Sequence, residues 1–262
     1  MRAGQRVNAD PAPRASAERE ACHPVVGYSP PVPHPILSRL AGRFVAFEGG
    51  DGSGKSTQLK RFVDLCRAPA PEGGGLTVCE VREPGGTDIG EKIRAVLLDR
   101  ANAGMSLRCE MLLYMASRAQ LIEQRIAPAL ARGEVVVADR FLASTYAYQG
   151  AAGGLSKAEI DAVAGTACHG VLPHLNIVFD VDEQTAGRRT GVVAPPSRKG
   201  GGASSLFADR MEDRDAEFRR KVRQSYLHQA KGDPDRFLVI DARGEPDSVF
   251  ASLLDGLSSR LR

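Results

Sequence analysis

The chain has little that would carry it into a membrane or along a nucleic acid. Its 262 residues contain no run of about 18 apolar residues, so nothing reads as a membrane span, and the N-terminus has no apolar stretch of the secretory kind. Charge of one sign is missing too: 35 Lys+Arg stand against 32 Asp+Glu, a net of +3. That balance excludes a broad basic face for nucleic acid, and 42% hydrophobic content excludes full disorder. The five cysteines (Cys22, Cys66, Cys79, Cys109, Cys168) lie far apart with no C-x-x-C, which fits neither a zinc spacing nor a disulfide framework. A cytoplasmic protein with no nucleic-acid or membrane partner is the expectation.

What is present divides into an extension and a domain. Residues 1–40 carry seven of the 16 prolines and no helical or strand period, which predicts a disordered N-terminal extension, with a single domain over 41–262. In that domain short apolar runs alternate with longer helical patterns, the signature of a parallel sheet covered on both faces. The predicted strands are Phe44–Phe47, Leu76–Val81, Val135–Ala138, Ile177–Val181 and Phe237–Ile240. The longest predicted helix runs from about Ser106 to Arg132, with apolar residues three and four apart. Ser156 to Glu159 fits a capping box, and a last helix is expected over Asp247–Leu261. A Gly-, Pro- and Ser-rich patch between Gly191 and Ser205 predicts a long flexible loop.

Gly49-Gly50-Asp51-Gly52-Ser53-Gly54-Lys55-Ser56 matches G-x-x-x-x-G-K-[ST] in full, between an apolar strand and a helix. Such a loop turns its backbone N–H groups onto an anion, and the helix behind it adds the positive end of its dipole. The sequence therefore predicts ATP on residues 49–57, with Lys55 at the β- and γ-phosphates and the Ser56 hydroxyl on Mg²⁺. Thr57 closes that set. A second acid is expected at a strand end, and Asp139 supplies it beside Arg140, whose forked cation suits phosphate oxygens. No N-K-x-D guanine motif is present, which argues against a GTPase switch.

Arg82-Glu83-Pro84-Gly85-Gly86-Thr87 follows the second strand and should border the cleft at the carboxyl edge of the sheet. With Glu48-Gly49 opening the P-loop, Tyr114 to Gln120, Asp139-Arg140 and Ser144 to Gly150, it resembles the thymidylate kinases. The matching segments occur in that family's order from about Arg43 onward. The resemblance implies an α/β fold of the P-loop nucleoside monophosphate kinase type, with a five-stranded parallel sheet and helices on both faces. It implies ATP and dTMP as substrates, Mg²⁺ as cofactor and a homodimer.

By the same resemblance Arg94 and Arg140 hold the dTMP phosphate, Tyr114 stacks on thymine, and Arg118 hydrogen-bonds its edge. Glu83 and Pro84 border the substrate. Ser144, Thr145 and Gln149 are candidates for base contact, Tyr148 crowds the sugar 2′ position, and Asp51 lies near the 3′-hydroxyl. The flexible loop becomes a lid at about 188–210, with Arg210 in Asp209-Arg210-Met211-Glu212 as the catalytic cation beside Lys55 and Arg140. From Arg188 to Arg223 ten basic residues face five acidic ones, a local +5 within a chain of net +3. Two other readings stay open at this point: a deoxyribonucleoside kinase, which also opens its P-loop with Glu-Gly, and a non-catalytic P-loop regulator.

Overall fold

The first strand, β1 (Phe44–Glu48), shows why this chain layers helices on both sides of a sheet. Its alternating side chains are all buried, Val45 and Phe47 entering one core while Phe44 and Ala46 enter another. The computed structural model describes residues 35–69, 75–191 and 216–261, all within one compact unit. Beside β1 lie β2 (Val78–Arg82), β3 (Val135–Asp139), β4 (Leu175–Asp180) and β5 (Phe237–Asp241), every pair parallel, in the order β2-β3-β1-β4-β5. The α/β expectation and its five strands are met, with strand ends shifted by one or two residues.

One core closes under α1 (Lys55–Arg67), through Leu59, Phe62 and Val63, and under α9 (Pro246–Arg260), through Val249, Leu253 and Leu257. The other closes under α3 (Leu107–Leu121), through Met111 and Met115, and under α6 (Lys157–Cys168), through Ile160 and Ala164. The predicted capping box is there: Ser156 Oγ accepts from Glu159 N–H, and the Glu159 carboxylate accepts from Ser156 N–H. The remaining helices are α2 (Asp88–Leu98), α4 (Ala127–Ala131), α5 (Leu142–Thr145), α7 (Glu183–Thr190) and α8 (Ala216–Gly232). Among the described residues no helix is long and apolar enough to cross a membrane.

Two expectations need correction. The long helix over 106–132 is interrupted: α3 passes into a π-helical segment, Ile122–Ile126, before α4. Pro128 lies just beyond, and a proline has no N–H for the i→i−4 bond and crowds the carbonyl four residues back, so a wider turn relieves it. The extension, expected to reach residue 40, also ends earlier. Ile36, Leu37 and Leu40 are buried in the first core, because three apolar side chains outweigh the proline content around them. Residues 1–34 of that extension lie outside the described residues, as do 192–210 of the expected lid, including Arg198, Lys199 and Arg210.

Candidate active site

The carboxyl ends of β1, β2 and β3 converge on one cavity of about 240 Å³. Leaving β1, the chain turns through Gly49–Gly54 into α1. Gly52 has φ +76°, and a Cβ there would stand 2.6 Å from the Ala186 carbonyl oxygen of α7, so only glycine fits. Gly54 caps α1 without a side chain, which leaves the positive helix end to an anion. Asp51, Lys55 and Ser56 line the cavity, while Gly49, Gly50, Gly52, Ser53 and Gly54 form the turn behind them and Thr57 is exposed beyond it. Lys55 Nζ is paired with Asp139 Oδ1 at the end of β3. Burial pulls the Lys55 ammonium below its ordinary value and Arg140 adds to this, with Asp139 working against both. A desolvated cation in this state gains from any further anion brought to it.

Arg140 follows Asp139 directly and holds a left-handed backbone, φ +70°, which costs a non-glycine residue about 1–2 kcal/mol. Its N–H donates to Phe47 O at 2.9 Å. Nη2 donates to Asp51 Oδ1 at 2.9 Å and Nη1 to Gly49 O at 2.9 Å, and the guanidinium lies 5.1 Å from the Tyr148 ring centre. Burial opposes its charge, but Tyr148, Tyr226, Asp51 and Asp139 outweigh that and keep the group protonated. Arg94 enters the same cavity from α2, donating Nη1 to Pro84 O at 3.0 Å. Thr87 caps that helix, its Oγ1 accepting from Gly90 N–H.

The far end of the cavity is buried and polar. On α3, Glu110, Tyr114 and Arg118 recur every four residues and so share a face. Arg118, 1% exposed, donates Nη2 to Glu83 Oε2 at 2.5 Å and Nε to both Glu83 oxygens at 3.0 Å, then Nη2 again to Thr145 Oγ1 at 3.2 Å. Its guanidinium also lies 5.0 Å from the Phe141 ring centre. Burial pushes the Glu83 carboxyl up to about 7 while Arg118 pulls it down. Gln149 Nε2 donates to Glu110 Oε1 at 2.9 Å, both residues buried. Ser144 and Thr145 come from α5, and Tyr148 and Gln149 from the π-helical Tyr146–Ala152 that continues it; such wide turns often re-aim side chains at sites. Thus one cavity is lined by Asp51, Lys55, Arg94, Arg140 and Tyr148 together with Glu83, Pro84, Tyr114, Arg118, Ser144, Thr145 and Gln149.

With this geometry in place, comparison with known proteins is decisive: the family model for thymidylate kinase matches residues 47–253. The chain belongs to the thymidylate kinase family. It is 44% identical over 218 residues to the thymidylate kinase of Desulforapulum autotrophicum, covering 83% of this chain and 92% of that protein. To the thymidylate kinase of Deinococcus radiodurans it is 39% identical over 219 residues, covering 84% and 98%. The crystal structure of thymidylate kinase from Ehrlichia chaffeensis is similar to it with a TM-score of 0.61 at 28% identity, covering 82% of this chain and 98% of that one.

Several residues at this cavity were not anticipated from the sequence. Arg82, Leu98 and Phe141 also line the cavity. Arg82 belonged to the recognised Arg82–Thr87 motif, and its guanidinium grips the Glu91 carboxylate at 2.8 and 2.9 Å. Behind the cavity wall stand Glu48 and Tyr226, joined at 3.1 Å. An acid closing an otherwise apolar, fully buried strand was a readable signal for Glu48; Tyr226 gave none. Arg189, expected to belong to the lid, is instead in α7 and donates to the carbonyls of Gly52, Ala242, Arg243 and Gly244 at 2.9–3.4 Å.

Proposed function

We propose that the cavity holds both substrates of one phosphoryl transfer, the donor phosphates on the P-loop and the acceptor nucleotide against α3 and the α5 segment. As a member of the thymidylate kinase family, the chain transfers the γ-phosphoryl group of ATP to dTMP, giving dTDP and ADP. The observation that carries the assignment of roles is that one cavity is lined by the P-loop lysine, by the guanidinium groups of Arg94 and Arg140, and by Tyr114 and Arg118. Two phosphates repel each other unless cations stand between them, and two guanidinium groups in that cavity supply this.

Lys55 neutralises charge on the transferred group, while Arg140, tied to Asp51, faces the phosphate of dTMP together with Arg94. Tyr114 offers a flat face to thymine, and Arg118, held charged by Glu83, offers what remains of its fork to the base edge. Ser144, Thr145 and Gln149 complete the base end, and Tyr148 closes over the sugar. Arg210 is the lid cation of this reading; it lies outside the described residues. The residues present fit Mg²⁺: Ser56 and Asp139, both lining the cavity, are hard oxygen donors, and Mg²⁺ commonly takes one or two protein oxygens with phosphates and water. Bound there, the ion neutralises charge on the donor phosphates. A 5′-hydroxyl kinase needs a free carboxylate base, but Glu48 is hydrogen-bonded by Phe141 N–H, Ser144 and Tyr226, and it does not line the cavity. A homodimer fits the apolar side chains Ile89, Val96 and Leu112, about half exposed on the packed pair α2 and α3.

The test is ADP release measured with ATP against dTMP, dUMP, UMP, dCMP, AMP, GMP and free thymidine. Turnover is expected on dTMP, with dUMP a slower second because a methyl group is worth about 1–3 kcal/mol. Turnover on thymidine but not on dTMP would overturn the reading.

A further inference from the structure

The buried cluster behind Arg140 is not used by the chemistry above, and it is too well ordered to be incidental. Glu48 Oε1 accepts from Phe141 N–H at 2.8 Å, the peptide group immediately after the left-handed Arg140. Glu48 Oε2 accepts from Ser144 Oγ at 2.6 Å and from Tyr226 OH at 3.1 Å, and the two hydroxyls lie 2.8 Å apart. Arg140 Nη1 closes the ring, with Tyr226 OH at 3.4 Å and Ser144 Oγ at 3.5 Å. Glu48 is 0% exposed and Tyr226 1%. One carboxylate therefore grips Arg140 at both ends: its strained backbone through the next N–H, and its guanidinium through two hydroxyls.

Tyr226 reaches this point from α8, which is a splint along the α5 segment. Gln229 Nε2 donates to Ala143 O at 3.1 Å and Ser225 Oγ to Tyr146 O at 3.5 Å. Arg223 fastens the same helix to Asp180 at the end of β4, at 2.6 and 2.9 Å. Burial beside Glu48 keeps the Tyr226 phenol protonated, so it remains a donor.

We propose that Glu48 and Tyr226 are positioning residues for Arg140, setting the direction of the cation that meets the acceptor phosphate while touching neither substrate. Neither lines the cavity, so their effect on the reaction must pass through Arg140 and its neighbour Ser144. The inference rests on the phosphoryl-transfer reading above.

A double-mutant cycle on kcat/KM for dTMP tests it. Tyr226→Phe removes one oxygen and keeps the ring in its apolar packing. It is expected to lower kcat/KM for dTMP about tenfold and to leave KM for ATP within twofold. In an Arg140→Lys background, where the fork is already lost, the same change is expected to cost less than twofold. Glu48→Gln is carried through the same cycle, so that if one variant fails to fold the other decides. Val222→Ala, one turn back on α8 and equally buried, serves as the packing control: its effect is expected to be the same in both backgrounds. Losses from Tyr226→Phe or Glu48→Gln that stay undiminished in the Arg140→Lys background overturn the proposal, as does unchanged kcat/KM in the single variants. Wild-type protein that fails to turn over dTMP would remove the transfer reading and this inference with it. Active wild type with additive losses removes the inference alone.

Discussion

The two ends of the cavity are built by opposite rules. At the donor end eight consecutive residues, Gly49 to Ser56, make the loop, and its lysine finds Asp139 at the tip of an adjacent strand. At the acceptor end no local motif builds the wall, which rests on paired side chains from separate segments: Glu83 with Arg118 across 35 positions and Glu110 with Gln149 across 39. The donor end is chiefly backbone shaped by glycine, and the acceptor end is chiefly buried polar side chains satisfying one another. A loop of the first kind recognises any triphosphate, since backbone amides read only the anion. Selectivity for one acceptor must then come from the second kind, where an unpaired polar group is costly.

Substitutions at the two ends should therefore fail differently. Lys55→Ala is expected to lower kcat about 10³- to 10⁵-fold, as loss of a transition-state cation does, with a thermal midpoint within a few degrees of wild type. Steady-state kinetics and calorimetry on the same preparation check it, and retained turnover would remove the P-loop lysine from the chemistry. Arg118→Met should reverse that balance. It leaves the Glu83 carboxylate buried without its partner, so the fold is expected to lose about 3–5 kcal/mol by denaturant titration. The protein that remains folded should show a raised KM for dTMP and an ordinary KM for ATP. An Arg118→Met protein of wild-type stability would mean that Glu83 is solvated, and the contrast between the two ends would collapse.

The same contrast explains what could be read from sequence. The strands were legible because each is a short apolar run, buried on both faces in β1, β3 and β4 and on one face in β2 and β5, and the P-loop because its chemistry lies in a fixed local spacing. Apart from Arg140 beside Asp139 and the turn after the second strand, the residues around the acceptor were legible as family positions. Nothing near Arg118 announces that its fork is held by Glu83, since that pairing exists only once α3 lies against the loop after β2. Residues 36–40 were misassigned for a related reason: a window dominated by proline hid Ile36, Leu37 and Leu40, whose burial depends on a core assembled from distant segments. The π-helical turns were invisible because a pattern of threes and fours reads as α-helix whatever turn the tertiary packing imposes.

The mildest change separates the ends most finely. Arg189 ties the P-loop carbonyl of Gly52 to the loop after β5 through Ala242, Arg243 and Gly244, a long-range contact at the donor end like those at the acceptor end. Yet the residue is exposed, so water can replace most of what Arg189→Ala removes. Each hydrogen bond then counts for the lower part of the usual ~0.5–1.5 kcal/mol. Arg189→Ala is accordingly expected to raise KM for ATP about threefold to tenfold, with KM for dTMP within twofold and stability lowered by about 2 kcal/mol or less. Titrating each substrate at saturating concentrations of the other checks it. A matching rise in KM for dTMP would show that the P-loop and the acceptor pocket move as one body, joined through the Asp51–Arg140 ion pair, and that the two ends are not independent.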